Sequence, residues 1–366
     1  MYKHKYVSLM IVILLTSLFT SCPSSSRFCI SSYAWKIMYR SSGGGGGIGF
    51  WVNADDDIYL TVDHSAIYHY NGQIWNDLSK VIPQGFYISN AIWADSKNDV
   101  YIGGVLADNF TPGVRVFHYD GNSWSVNKIT ATTSNALVRS IWGTGQNNIY
   151  FLAGPVYTLN NRQDILIHYD GTTYTELGTV LDTDPYLLQG GVPWTPLLSP
   201  FFVNGGTMFI YGTDSSHIYV AGGTGLYQVI TGTSTIVKDP YWKQVNAIWG
   251  DGHGTLYLYG YTISNTSGLF VSTGASWNNI SLPITGDVGY IWGSSPDNIY
   301  VYIMTPEHLP SIYNYNGTTW VKEVSPSPSN PIIVGLSAND VYTAGESCLE
   351  SSDGAKYPGF VVLKKP

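Results

Sequence analysis

The chain has 366 residues and a formal net charge of −8, with 25 acidic residues against 17 basic ones and only 11% of residues charged. No basic stripe accompanies that balance, which excludes nucleic acid as a natural partner. The length exceeds that of a common single domain, but 29 Tyr and 12 Trp supply core enough for one large body built from repeats.

At the N-terminus, Lys3 and Lys5 precede the uncharged, mainly apolar stretch 6–19 and then Thr20-Ser21-Cys22. A charged start, an apolar run shorter than the about 20 residues a membrane span needs, and small residues before a cysteine resemble the bacterial lipoprotein signal. That resemblance implies a signal peptide over residues 1–21 and a lipid on Cys22. The Pro/Ser-rich residues 22–32 are then a flexible tether before a folded body over 33–366. Phe19 stands where this signal prefers Leu, and an ordinary signal peptide or short anchor is the alternative. Pro23 in place of Asp after the cysteine favours outer-membrane delivery, so the expected location is the cell envelope, with the lipid as sole membrane contact. Cys29 and Cys348 share a compartment that permits disulfides, but they fall at opposite edges of one repeat, which argues against a bridge.

From residue 48 onward one decorated aromatic returns: Ile92-Trp93-Ala94, Ile141-Trp142-Gly143, Ile248-Trp249-Gly250 and Ile291-Trp292-Gly293. Taken as a phase marker, it gives Trp51, Trp93, Trp142, Tyr211, Trp249, Trp292 and Val334, seven copies spaced by 42, 49, 69, 38, 43 and 42 residues. The ordinary spacings match four-stranded repeats of about 40 to 50 residues. Each copy contains short runs of period two, rich in β-branched and aromatic residues, such as 148–152 and 165–169. Asn71-Gly72, Asp120-Gly121, Asp170-Gly171 and Asn316-Gly317 separate its third and fourth strands, dipeptides suited to positive φ at both central positions of a tight hairpin. The seventh copy lacks a fourth strand. Residues 33–37 around Trp35 read like 319–323 around Trp320, so an N-terminal strand is expected to close a ring and remove its exposed edges.

The repeat also accounts for most residues of types able to carry chemistry. Ten of the twelve Trp occupy repeat positions and are read as packing. His69, His118 and His168 share one place in successive repeats, so they face successive interfaces and no metal is expected. Asp99, Asp297, Asp340, Asp120 and Asp170 sit in turns, where short polar side chains satisfy local backbone groups. No cofactor motif is present: the glycines of 43–49 are followed by neither helix nor Lys.

The string Ile291-Trp292-Gly293-Ser294-Ser295-Pro296-Asp297-Asn298-Ile299-Tyr300, continued by Tyr315-Asn316-Gly317-Thr318-Thr319-Trp320, resembles the repeat of bacterial envelope β-propeller proteins, loosely grouped with kelch and galactose-oxidase-type propellers. The resemblance covers about 33–363 and implies an all-β, seven-bladed propeller of four-stranded antiparallel blades. The turn is one residue shorter than a sialidase Asp-box, and blades one to six contain no Cys for copper-radical chemistry.

In such a fold the short a–b and c–d turns share one face. The b–c and d–a loops, variable in length, share the other, and loops of that kind carry function on a rigid scaffold. Aromatics there outside the repeat are the candidate ligand-binding residues: Tyr186, Trp194 and Phe201 in the long insertion 178–208, then Tyr241, Trp242, Phe86, Tyr87, Phe110, Tyr157 and Tyr261. Rings beside Asn, Asp and Gln suit glycans or a protein surface, and the alternative is that Trp194 and Phe201 cap the channel as a satellite core. The expectation is a non-enzymatic binding protein with a glycan or envelope-protein partner. A glycoside hydrolase or polysaccharide lyase is the competitor, and would be favoured by Asp182, Asp184 or Glu307 meeting Arg139 or Arg162.

Overall fold

The computed structural model describes residues 34–42, 48–62, 65–106, 113–130, 135–155, 162–182, 209–230, 235–272, 276–307, 309–325, 327–350 and 356–366. Within them regular structure is β-strand apart from a 3-10 turn at Ser79–Val81. A lone strand β1 (Lys36–Ser42) comes first. The repeat units follow: β2 (Ile48–Ala54), β3 (Asp57–Val62), β4 (Ala66–Tyr70) and β5 (Trp75–Asp77); then β6 (Phe86–Ser96), β7 (Asp99–Leu106), β8 (Gly113–Tyr119) and β9 (Trp124–Thr130). Next are β10 (Asn135–Gly145), β11 (Asn148–Pro155), β12 (Arg162–Tyr169) and β13 (Tyr174–Asp182), and β14 (Phe209–Asp214), β15 (His217–Gly222), β16 (Gly225–Ile230) and β17 (Thr235–Lys238). The last are β18 (Trp242–Gly250), β19 (Leu256–Thr262), β20 (Ser267–Ser272) and β21 (Trp277–Ile280); β22 (Asp287–Ser295), β23 (Asn298–Met304), β24 (Pro310–Tyr315) and β25 (Trp320–Val324); and β26 (Ser329–Gly335), β27 (Val341–Glu350) and β28 (Lys356–Lys364).

These strands form antiparallel meanders. Five sheets have four strands, and one of eight joins β6–β9 to β10–β13 through a short parallel pairing, Asn135 with Gly113 and Ala136 with Val114. The phase read from the sequence holds throughout. Trp51, Trp93, Trp142, Tyr211, Trp249, Trp292 and Val334 each stand opposite a Tyr on the following strand: Tyr59, Tyr101, Tyr150, Tyr219, Tyr257, Tyr300 and Tyr342.

The glycine after the aromatic has a packing reason. A Cβ on Gly143 would come 2.9 Å from the Trp93 ring, on Gly212 2.2 Å from Trp142, on Gly293 2.9 Å from Trp249, and on Gly335 2.3 Å from Trp292. Each aromatic thus lies over the backbone of the next unit, closer than any side chain there would allow. Where Tyr211 replaces Trp the contact becomes polar: the Gly250 amide donates to the Tyr211 hydroxyl at 2.5 Å. Repeated from unit to unit, this brings first strands together in the order β2, β6, β10, β14, β18, β22, β26, and β26 returns to β2.

The turn between third and fourth strands differs from the expected tight hairpin. Only the glycine has positive φ, 88° at Gly72, 90° at Gly121, 94° at Gly171 and 89° at Gly317, and four residues separate the paired Tyr70 and Trp75. The preceding Asn or Asp makes up the difference. Its Oδ1 accepts amide hydrogens from the residues two and three further on, at 2.9 and 2.8 Å for Asp120 and 3.1 and 2.8 Å for Asn316. The Tyr before it donates its hydroxyl to the glycine carbonyl, as Tyr119 does to Gly121 at 2.9 Å. A side-chain acceptor therefore replaces the backbone conformation a two-residue turn would need.

The N-terminal strand does join the last unit. It begins and ends later than the expected 33–37, because the pairing runs from Lys36 opposite Lys364 to Ser42 opposite Gly359. Trp35 lies just ahead of it and is buried among Tyr300, Tyr302, Ile312 and Leu363, with its Nε1 donating to Glu323 at 3.4 Å. The adjacent C-terminal lysines fasten the seam on both sides. Lys364 reaches Asp55 of the first unit at 3.1 Å and Asp340 at 3.3 Å, while Lys365 reaches Glu323 at 3.2 Å and the Tyr300 hydroxyl at 2.5 Å. Cys348 lies on β27 opposite Pro358, whereas Cys22, Cys29 and the segment 183–208 lie outside the described residues.

Candidate functional site

The first strands surround a central cavity of about 440 Å³ to which β2, β6, β10, β14, β18, β22 and β26 all contribute. Its wall has two levels. Towards the short-turn end stand Trp51, Trp142, Tyr211, Trp249 and Trp292. Three residues earlier in the chain, nearer the variable-loop end, stand Asn90, Arg139, Asn246 and Gly289, all at places where the pairing with the second strand slips. Such bulges re-aim a side chain that regular pairing would direct elsewhere. They explain how Asn and Arg enter a wall otherwise built from Ile92, Ile141, Ile248 and Ile291.

The polar level is electrically quiet. Arg139 and Asp164 of β12 are both buried, and Arg139 Nε lies 3.8 Å from Asp164 Oδ1. Gly154 between them makes the approach possible, since a Cβ there would meet both side chains, 1.9 Å from Asp164 and 2.6 Å from Arg139. Asn246 accepts from Gln244 Nε2 at 2.8 Å. Asn90 is 7% exposed, and its Oδ1 finds no hydrogen-bond partner among the described residues; the same is true of Trp51 Nε1. Burial pushes the Tyr211 and Tyr290 hydroxyls well above the usual phenol range, so both stay neutral.

Solved structures share this fold. YCF48 bound to D1 peptide aligns with TM-score 0.56 at 11% identity, covering 92% of this chain and 99% of that one. YCF48 from Cyanidioschyzon merolae aligns with TM-score 0.57 at 12% identity, over 90% and 98% of the two chains. The GH74 xyloglucanase from Xanthomonas campestris aligns with TM-score 0.54 at 14% identity, covering 89% of this chain and 55% of that one. The chain is a β-propeller. At these identities the likeness concerns the fold alone. No family model matches the chain, and no curated protein matches its sequence.

The propeller sorts the candidate aromatics. Trp242 is 0% exposed at the start of β18, held edge-on by Phe270 and Trp277, and Phe86 is 4% exposed against Phe117; both are core residues and offer no ring to a ligand. The expectation of ligand stacking at these two positions is therefore corrected. Both are the first residue of a strand, and their side chains belong to buried clusters. Tyr87 alternates with Phe86 and is 53% exposed. Tyr241 is 37% exposed, with its ring edge against Trp242 and Phe270. Tyr261 is half-buried, its hydroxyl 3.4 Å from Asp287, which also accepts from Tyr259 at 2.9 Å. Tyr186, Trp194, Phe201, Phe110 and Tyr157 lie outside the described residues.

Of the acidic residues weighed for catalysis, Glu307 alone has a described side chain, and it stands outside the cavity lining. Glu307 borders a separate groove on the sixth repeat, with Thr305, Leu309 and Lys322. Asp184 lies outside the described residues, as do the side chains of Asp182 and Arg162. The repeat histidines are occupied within their own blades. His69, His118 and His168 stack on Tyr59, Tyr101 and Tyr150 at 4.3, 4.1 and 4.4 Å, and bond Asp57, Asp99 and Asn148 at 2.7, 2.7 and 2.8 Å.

The residues that the sequence reading leaves out are Asn90 and Asn246, and it names Arg139 only as a partner for catalytic carboxylates. A signal was present: Asn90, Arg139 and Asn246 each stand three residues before a repeat Trp, Trp93, Trp142 and Trp249. Asn or Arg recurring at one position inside a buried strand marks a wall that faces a cavity.

Proposed function

We propose that the chain is a seven-bladed β-propeller working as a non-enzymatic binding protein, held to the cell envelope by a lipid on Cys22 and akin to bacterial envelope propeller lipoproteins. The cyclic order of seven first strands supports the blade count. The ligand is a glycan or a segment of an envelope protein, taken at the face carrying the b–c and d–a loops. The observation that carries this reading is the central cavity, about 440 Å³ and so within the about 300–1,000 Å³ of small-molecule sites, with polar groups delivered by bulges to the end facing those loops. Tyr87 and Tyr241 supply exposed rings on the same face. The YCF48 structure with its D1 peptide and the xyloglucanase accord with either ligand class on this fold. A paired-carboxylate hydrolase is less well supported, since the only charged side chain in the described lining is Arg139.

The full-length protein, purified in detergent, should give reproducible hits on a glycan array or capture a partner from envelope extract, and Tyr87→Ala should weaken the interaction. Absence of both kinds of hit removes the binding reading. Radiolabelled fatty acid should enter the wild-type chain and not the Cys22→Ala variant; label in the variant removes the anchor.

A further inference from the structure

We propose that the central cavity is itself the binding site, and that it takes a neutral, hydroxyl-bearing group, the terminal sugar of a glycan, between Asn90 and Asn246 above the Trp51 ring. This deepens the reading of a ligand-capturing loop face and rests on it. Three observations fix the chemistry. The first is the buried Asn90 Oδ1, an acceptor without a partner among the described residues. A buried carbonyl of this kind costs free energy unless a donor arrives, and a hydroxyl or amide of the ligand is that donor. The second is a pair of donors in the same lining, one on β18 and one on β2. Asn246 has its Oδ1 occupied by Gln244 and so presents its amide hydrogens, while Trp51 Nε1, a donor only, also has no partner among the described residues. A group that must both donate and accept is a neutral hydroxyl or amide rather than an ion, and of these a hydroxyl does both from one atom. The third is charge. Arg139, the cation of the lining, is offset by Asp164 at 3.8 Å, so the polar level carries no net charge to attract a carboxylate or phosphate. The apolar lower wall suits the C–H face of a sugar ring.

The test uses the full-length protein in detergent with three probe sets: neutral oligosaccharides, acidic oligosaccharides and short peptides, read by tryptophan fluorescence and titration calorimetry. Wild-type protein should bind a neutral oligosaccharide with a change in tryptophan emission. Asn90→Leu should weaken that binding at least tenfold with Tm unchanged or raised, because a buried carbonyl oxygen with no partner among the described residues is replaced by an apolar side chain of similar size. Asn246→Leu provides a second variant, also expected to lose at least tenfold. Neutral sugar binding that survives both substitutions within twofold overturns the cavity site and leaves the loop-face reading standing. Binding of acidic oligosaccharides or peptides in place of neutral ones overturns the ligand class alone. No binding of any probe, together with no partner captured from envelope extract, overturns both.

Discussion

Gly335→Ala probes the contact that links one blade to the next. The added Cβ would lie 2.3 Å from Cη2 and 2.6 Å from Cζ2 of Trp292, and 2.8 Å from the Asp340 carbonyl oxygen. Carbon atoms sit best about 3.5–4.0 Å apart, so the indole must retreat by about 1 Å or the strands must separate. Trp292 can yield partly into the cavity it lines, but its ring also packs against Tyr300 at 5.9 Å. Overpacking of this kind costs about 1–3 kcal/mol. With an unfolding entropy of about 2.1 cal/mol/K per residue, a body of this size should lose roughly 1–5 °C in Tm. Calorimetry would measure the fall. A double-mutant cycle isolates its cause: in a Trp292→Leu background, which removes the ring, the alanine should cost less than in the wild type, the remainder coming from the 2.8 Å approach to the Asp340 carbonyl. Equal cost in both backgrounds would refute the clash and point to the backbone. An unchanged Tm would refute the packing account of the repeat glycine altogether.

Trp35→Ala should destabilise the chain by about 3–5 kcal/mol, since it empties a core position 2% exposed that locks the N-terminal strand; a denaturant midpoint within error of wild type would show that the strand closes the ring without it. Trp242→Ala should cost a similar about 3–5 kcal/mol, whereas Tyr87→Ala should stay within about 0.5 kcal/mol; equal thermal shifts would contradict their different burial. Asp120 and Asp170 are held below the usual carboxylate range, foremost by the amides of Ser123 and Thr173. A depressed folded pKa means that their contribution is present above the unfolded value of about 4 and is lost as pH falls through the folded one. Asn71 and Asn316 make the same turn without titrating, so Asp120→Asn with Asp170→Asn should leave the urea midpoint unchanged at pH 7 and flatten its fall between pH 4 and 2. The same slope in both proteins would exclude these two carboxyls as a source of acid sensitivity.

The fold was legible because the repeat wrote it several times. One Trp could belong to any core, but seven aromatic or apolar markers in phase, each followed by a Tyr, fixed the strands and their order. The swap of Asp for Asn in the c–d turns was visible too, yet its meaning was not: dipeptide preference suggests a two-residue turn, and only geometry shows that Asn71 and Asp120 bond the amides two and three residues on. The site was harder to read for a physical reason. Phe86 and Tyr87 are adjacent in sequence and opposite in exposure, because consecutive side chains of a strand face opposite sides. Without the register the wrong member of the pair is as good a candidate as the right one. Asn90 and Asn246 escape the sequence reading, and Arg139 enters it only as a partner for carboxylates, because a bulge, which alternation does not announce, turns all three into the cavity.

The pairing of Lys36 with Lys364 fixes where the chain enters its fold. Residue 36 lies at the end of the sheet where β28 finishes and where the turn before Val341 places Asp340 against Lys364. That is the short-turn side. Anything attached upstream therefore joins the described fold on the side opposite the loops. Immobilising the protein through that end for a binding assay leaves the cavity mouth free, whereas a tag inserted in the loops would cover it.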